Sequence, residues 1–216
     1  MPDILNEVEI RVLGCLVEKQ LTTPEYYPLT LNALTAACNQ KSNRDPVVNY
    51  DETTIMSAID SLRDRNLVYL FYGSTSRSVK YKHMLPSVYE LDAAGVAILA
   101  VLFLRGPQTL GEIRERTGRL HEFGSIGEVQ EKLDDLTRRD EPLVVKLERQ
   151  PGQKEARYAH LLSGPVDAAS VAPASSRAQA SGGSERIGEL EEELKQLRAE
   201  LEAFRSEFSE FRKQFE

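Results

Sequence analysis

Two stretches 77 residues apart end alike. Tyr81-Lys82-His83-Met84-Leu85 and Tyr158-Ala159-His160-Leu161-Leu162 share a Tyr-x-His-x-Leu ending. Each closes a pair of strand-like segments, and each pair follows helical segments in the same order. An echo of this kind marks one supersecondary unit copied in tandem. The chain is therefore expected to fold the same way twice.

In the first copy, Leu5, Val8, Val12, Leu13, Leu16 and Val17 recur at helical spacing as far as Lys19, with Asn6 or Asp3 as the capping residue. The stretch TTPEYYP, with two prolines in seven residues, enforces an extended connection. Thr30 then caps a short helix whose inner face is Leu31, Leu34 and Cys38. A polar loop from Asn39 to Tyr50 crowds Asn39, Gln40, Lys41, Asn43 and Arg44 together, and Pro46 stops the helix from running on. Asp51 caps a longer helix to about Arg65 that buries Ile55, Ala58, Ile59 and Leu62. Its other face shows Thr53, Thr54, Ser57, Asp60, Ser61 and Asp64. Residues 67–85 read as two strands around a Gly-Ser-Thr-Ser-Arg turn, rather apolar on both faces of the first strand. Helix, loop, helix and strand pair is the order of a winged helix, a form of helix-turn-helix.

The pattern then restarts. Asp92 caps an apolar helix through Leu104, closed by Gly106-Pro107, and Thr109 caps Leu110–Thr117. Ser125 caps a helix carrying Ile126, Val129, Leu133 and Leu136, and strands at 143–147 and 156–162 complete the unit. The expected fold class is mainly α with small β-hairpins (α+β). Two tandem winged-helix domains, residues 1–86 and 87–163, precede a linker and a helical tail.

Between residues 164 and 184, 16 of 21 residues are Ala, Ser, Gly or Pro. This composition makes a flexible linker spanning roughly 25 Å as a coil. Beyond it Ile187, Leu190, Leu194, Leu197, Leu201, Phe204, Phe208, Phe211 and Phe215 alternate spacings of three and four, a coiled-coil heptad over residues 185–216. In a parallel pair the facing charges are Arg186–Glu191, Glu193–Arg198, Glu200–Arg205 and Glu207–Arg212, all attractive. An antiparallel pair sets Glu193 against Glu207. The favoured assembly is a parallel homodimer, the alternative a helix folded back on its own domains.

Charge limits what the domains can bind. The chain carries 27 Lys/Arg and 34 Asp/Glu, a net charge of -7. Residues 1–85 are near neutral (9 basic, 10 acidic), residues 86–165 likewise (11 and 13), and the tail is the acidic part. Wholesale wrapping of nucleic acid is excluded, while a local basic patch is not. Cys15 and Cys38 lie within apolar helical patterns and read as buried free thiols. The N-terminus lacks a signal-like apolar core, and the longest apolar run, Ala93 to Leu104, is too short to span a bilayer. A cytoplasmic protein without membrane contact is expected.

No catalytic constellation emerges. His83, His121 and His160 lie far apart, and two of them occupy equivalent hairpin positions, which favours hydrogen-bonded structural roles over catalysis. Metal-ligand spacing, a phosphate-binding glycine loop and a nucleophile elbow are all missing. Neither cofactor nor metal is expected, and the chain reads as non-enzymatic.

The leading function is binding of double-stranded DNA as a dimeric transcriptional regulator. Thr53, Thr54 and Ser57 would lie near base edges, with Lys41, Asn43 and Arg44 of the loop and Arg77, Lys80 and Lys82 of the wing gripping phosphates. The helix offers no Arg, Asn or Gln for bidentate base contacts, so strong sequence readout is not expected from it. In the second copy the matching helix exposes Glu128, Glu131, Asp134 and Asp135, which repel phosphate. The competing reading is a scaffold that holds a protein partner with no direct DNA contact.

The stretches LNEVEIRVLGCLVEKQLTTPEYYPLTLNALTAACNQKSNRDPV, LRGPQTLGEIRERTGRLHEF and PLVVKLERQPGQKEARYAHLLSG resemble the YceH-like family of uncharacterised bacterial proteins. The resemblance covers about residues 4–164 and is most specific at CNQKSNRDPV. It implies tandem winged-helix domains and supplies no substrate, ligand or catalytic residue. Regulation of transcription is a fold-level expectation.

Overall fold

The computed structural model describes residues 4–72, 78–149, 153 and 155–166. Arg77, the linker beyond residue 166 and the heptad from Ile187 to Phe215 lie outside the described residues. Within them the chain is a mixed α+β structure of seven α-helices and two small antiparallel sheets.

Short polar side chains start the helices. Asn6 accepts from the amides of Val8 and Glu9, while Glu9 reaches back to the Asn6 N–H at 2.7 Å, a capping box that opens α1 (Glu7–Thr22). Thr30 caps α2 (Leu31–Cys38) and Asp51 caps α3 (Glu52–Asp64). In the second half Asp92 caps α5 (Ala93–Arg105), Thr109 caps α6 (Leu110–Thr117) and Ser125 caps α7 (Ile126–Thr137). Gly106, at φ +67°, turns the chain sharply out of α5, a conformation that suits glycine.

The sheets repeat as well. β2 (Val68–Phe71) and β3 (Lys80–His83) form the first hairpin, and β1 (Leu29–Thr30) joins the far side of β3, giving the order β1-β3-β2. β4 (Gln108–Thr109), β5 (Val144–Lys146) and β6 (Arg157–His160) give β4-β6-β5. Tyr81 pairs with Leu29 and Leu70, and Tyr158 with Gln108 and Lys146, so the two sheets correspond strand for strand. The third strands and α4 (Leu85–Val88) escape sequence reading. Two residues carry no periodicity, and a one-turn helix with proline near its start carries little more.

One helix explains how the halves meet. Every residue of α5 from Ala94 to Leu104 is buried, so the helix is apolar all round because it is covered all round. α1 packs across it at Gly14, where an added Cβ would lie 3.0 Å from Phe103 Cβ and 2.9 Å from Leu104 Cδ2. A single apolar cluster then runs from Leu5 to Leu162 through both halves. Backbone bonds tie them further: the Leu5 N–H donates to Leu162 O at 2.7 Å, and the Asp45 N–H to Leu104 O at 2.8 Å. The halves belong to one unit that includes residues 1–168.

One packing expectation is corrected. Ile126, expected inside, is 47% exposed because it is the first residue of α7, ahead of the face that buries Val129, Leu133 and Leu136. The first strand, apolar on both faces, buries only one of them. Val68 is buried, whereas Tyr69 and Phe71 stand 46% and 43% exposed on the outer face.

Candidate nucleic-acid interface

The loop between α2 and α3 is held from beneath by two arginines. Arg11, in the middle of α1, donates to Cys38 O at 3.3 Å and Pro46 O at 2.6 Å, clasping both ends of the loop. Arg44 points inward from the loop itself. Its Nε and Nη2 donate to Ala37 O, its Nη1 to Asn43 O, and its two Nη atoms grip the Glu18 carboxylate at 3.1 and 2.6 Å. The Asn39 amide exchanges two hydrogen bonds with the Tyr50 backbone, closing the loop on itself.

Arg44 is only 6% exposed, so the expectation that it grips phosphate is corrected. A buried arginine is stable when every donor is met and its charge is paired, and Arg44 satisfies both conditions. Burial opposes its charge, yet Glu18 and the Cys15 sulfur more than offset this and raise its pKa. Glu18 responds in the opposite direction. Burial would raise its pKa, but Arg44 and Lys19 hold it below the ordinary carboxylate value. Asn43 sits at φ +59°, a left-handed conformation that asparagine tolerates, and its Oδ1 accepts from Arg105 of α5. Only Lys41 of the loop candidates is exposed without such an engagement among the described residues.

Helix α3 brings two of its three candidates fully to the surface. Thr53 and Ser57 are exposed, Thr54 half-buried, and Ser57 Oγ donates to Thr53 O at 3.1 Å. The hairpin adds a surface that sequence reading described only as charge. Cross-strand partners share a face, so the pairs Tyr69–Lys82 and Phe71–Lys80 set two exposed aromatics beside two lysines on the outer face of the sheet. Neither lysine has an ion pair among the described residues. The matching face of the second sheet carries Val145, Ala159 and Arg157, and Arg157 is held by Glu112 at 2.9 Å and by Pro107 O.

The two equivalent histidines differ beneath the surface. His83 Nδ1 accepts from the Leu85 N–H at 3.3 Å, so the proton sits on Nε2, which faces Gln20 Oε1. His160 packs edge-on against Phe103 and its buried Nδ1 has no partner among the described residues. The expected hydrogen-bonded role thus holds for His83 alone. Burial pushes both pKa values down to about 4, helped at His83 by Lys82. Cys15 and Cys38 are free and buried, as expected. Their contact pushes the Cys38 thiol up, while Cys38 and Arg44 hold Cys15 below its ordinary value against the effect of burial.

Among the described residues no group of three or more His, Cys, Asp or Glu is placed to hold a metal. No helix there is long and apolar enough to cross a membrane. Arg11 is the loop-holding residue that the sequence reading passed over. Its signal was available, because a cation flanked by Ile10, Val12 and Leu13 in a buried helix must find carbonyls or carboxylates.

Known proteins place the chain. It is 56% identical over 172 residues to a UPF0502 protein of Opitutus terrae, covering 79% of this chain and 75% of that one. A UPF0502 protein of Geotalea daltonii is 53% identical over 192 residues, covering 88% of each, and one of Geobacter metallireducens 50% identical over 198 residues, covering 90% of each. The family model described as "Protein of unknown function, DUF480" matches residues 5–153. The chain therefore belongs to the DUF480 family, whose relatives here are the bacterial UPF0502 proteins.

Proposed function

We propose that this protein is a non-enzymatic DNA-binding protein, a dimeric regulator of transcription built from two tandem winged helices. The first half makes the contact. The observation that carries this reading is the outer face of β2–β3, where Lys80 and Lys82 stand without ion pairs among the described residues beside exposed Tyr69 and Phe71. Thr53 and Ser57 on α3 and Lys41 in the loop are the further contacts. The C-terminal heptad pairs two copies in parallel, and joining two weak half-site contacts raises their effective concentration. Fluorescence anisotropy with fragmented genomic DNA tests the reading. Binding at about 50 mM salt should weaken steeply by about 200 mM, because displaced counterions drive phosphate contacts. The Lys80→Glu/Lys82→Glu double variant should lose it, whereas Arg157→Gln in the second half should not. Absent binding at low salt, or binding indifferent to the double variant, overturns the proposal.

A second reading, a protein-interaction scaffold, is favoured by α7, whose exposed Glu128 and Asp135 would repel DNA. It predicts one stoichiometric partner recovered from nuclease-treated lysate.

A further inference from the structure

We propose that the cleft between the two halves is a binding site for a small molecule bearing at least two oxyanion charges, an organic phosphate or polycarboxylate. Arg105, Arg116 and Arg119, with Lys19, would hold it.

The cleft measures about 590 Å³, within the range that small-molecule sites occupy. Its walls come from both halves: Lys19 from the end of α1, Gln40 and Asn43 from the loop, Arg105 from the end of α5, and Arg116 and Arg119 from the end of α6 and beyond. Val101, Leu104 and Leu120 form an apolar part of the lining.

In a chain of net charge -7, this concentration of cations is out of keeping. Part of it complements helix C-termini, since Lys19, Arg105 and Arg116 each sit in a last turn. Carboxylates neutralise it only in part. The Glu18 carboxylate at the wall is shared between Arg44 at 2.6 Å and Lys19 at 3.1 Å, leaving Glu115 as the other acid there for three arginines. Arg105 has an amide partner, Asn43, but no carboxylate, and Arg119 has no ion pair among the described residues. Arg116 reaches Glu112 at a loose 3.4 Å. Burial, then the charges of Arg116 and Arg44, pull the Arg105 pKa below its ordinary value, so part of that shift is repulsion from neighbouring cations. A dianion between the three guanidinium groups relieves that repulsion. Their planar forks match the paired oxygens of phosphate and carboxylate alike.

The test uses the full chain and isothermal titration calorimetry at constant ionic strength, with pyrophosphate and citrate as probes. At least one should bind saturably with Kd below about 1 mM, and the tighter of the two identifies the ligand chemistry. Arg105→Gln and Arg119→Gln should each weaken it about tenfold or more, the loss expected for one charge-assisted fork. Arg119 is exposed, so its variant retains the fold and keeps the test decisive if Arg105→Gln does not. Failure of both probes to bind, or binding unchanged by Arg119→Gln, overturns the proposal. Displacement of the bound probe by short duplex DNA would also overturn it, by assigning the cleft to the nucleic-acid backbone.

Discussion

The two halves share their elements, order and strand register, and they part company in what lies between their second and third helices. In the first half that connection runs from Asn39 to Asp51 and is stitched down by Arg11, Arg44 and the Asn39–Tyr50 exchange. In the second it runs only from Gly118 to Ser125, held by the Leu120 N–H on Thr117 O and the Gly124 N–H on Glu128. The same contrast recurs at the sheets, where Lys80 is free of ion pairs among the described residues and Arg157 is locked to Glu112. The two halves thus match in their apolar scaffold and differ in their polar networks, of which the loop network of the first is the larger. Apolar packing tolerates many substitutions of similar volume. A buried charge network has to be complete to be stable at all.

The sharpest way to break the comparison is to remove its largest polar difference. Arg44→Ala leaves the largely buried Glu18 carboxylate with Lys19 alone and strips the Ala37 carbonyl of its side-chain donors, and should cost about 3 kcal/mol. Arg119→Ala, in the shorter connection, should change stability by less than about 0.5 kcal/mol. Urea unfolding of the two variants measures both, and comparable losses would show that the loop network is not what distinguishes the halves.

Acid should treat the halves alike. His83 and His160 are held neutral, with folded pKa values near 4 against an ordinary 6.5. The unfolded chain therefore takes up protons first as pH falls, so stability is full above about pH 6.5 and drains away toward pH 4. Each histidine accounts for about 3 kcal/mol by the bottom of that window. Midpoints of urea unfolding from pH 7 to pH 4 report the loss, and replacing either histidine should remove about half of the histidine-linked part.

At pH 7 the same pair separates again. His83→Leu strips partners from the Leu85 N–H and Gln20 and should cost about 1–3 kcal/mol, whereas His160→Leu removes an unpartnered nitrogen and should be near neutral. Equal costs in urea titrations would contradict the difference in hydrogen bonding. The smallest effect is reserved for the outer sheet face. Lys80→Glu/Lys82→Glu should move stability by no more than about 0.5 kcal/mol, so thermal melts of that variant separate a lost DNA contact from a lost fold.

These differences explain what the sequence makes legible. Caps at Asn6, Thr30, Asp51, Asp92, Thr109 and Ser125 can be read because each is a local rule, a short polar side chain ahead of an apolar period. The echo around His83 and His160 reveals the repeat for the same reason. Arg44 is misread because its fate depends on Glu18, 26 positions away, and no local rule distinguishes a phosphate grip from a buried strut. The cleft is less visible still. Arg105, Arg116, Arg119 and Lys19 come from three helices and the turn after α6, and only the packing of α1 and α6 against α5 gathers them.

The crossing at Gly14 carries a consequence for how such a chain can be divided. With less than a methyl group of clearance between α1 and α5, and α5 wrapped on every side, each half forms part of the other's interior. A fragment cut at residue 86 would turn the side of α1 around Gly14 out into water, and its complement would strand an oily rod. Any recombination or engineering that borrows one half must take the other with it.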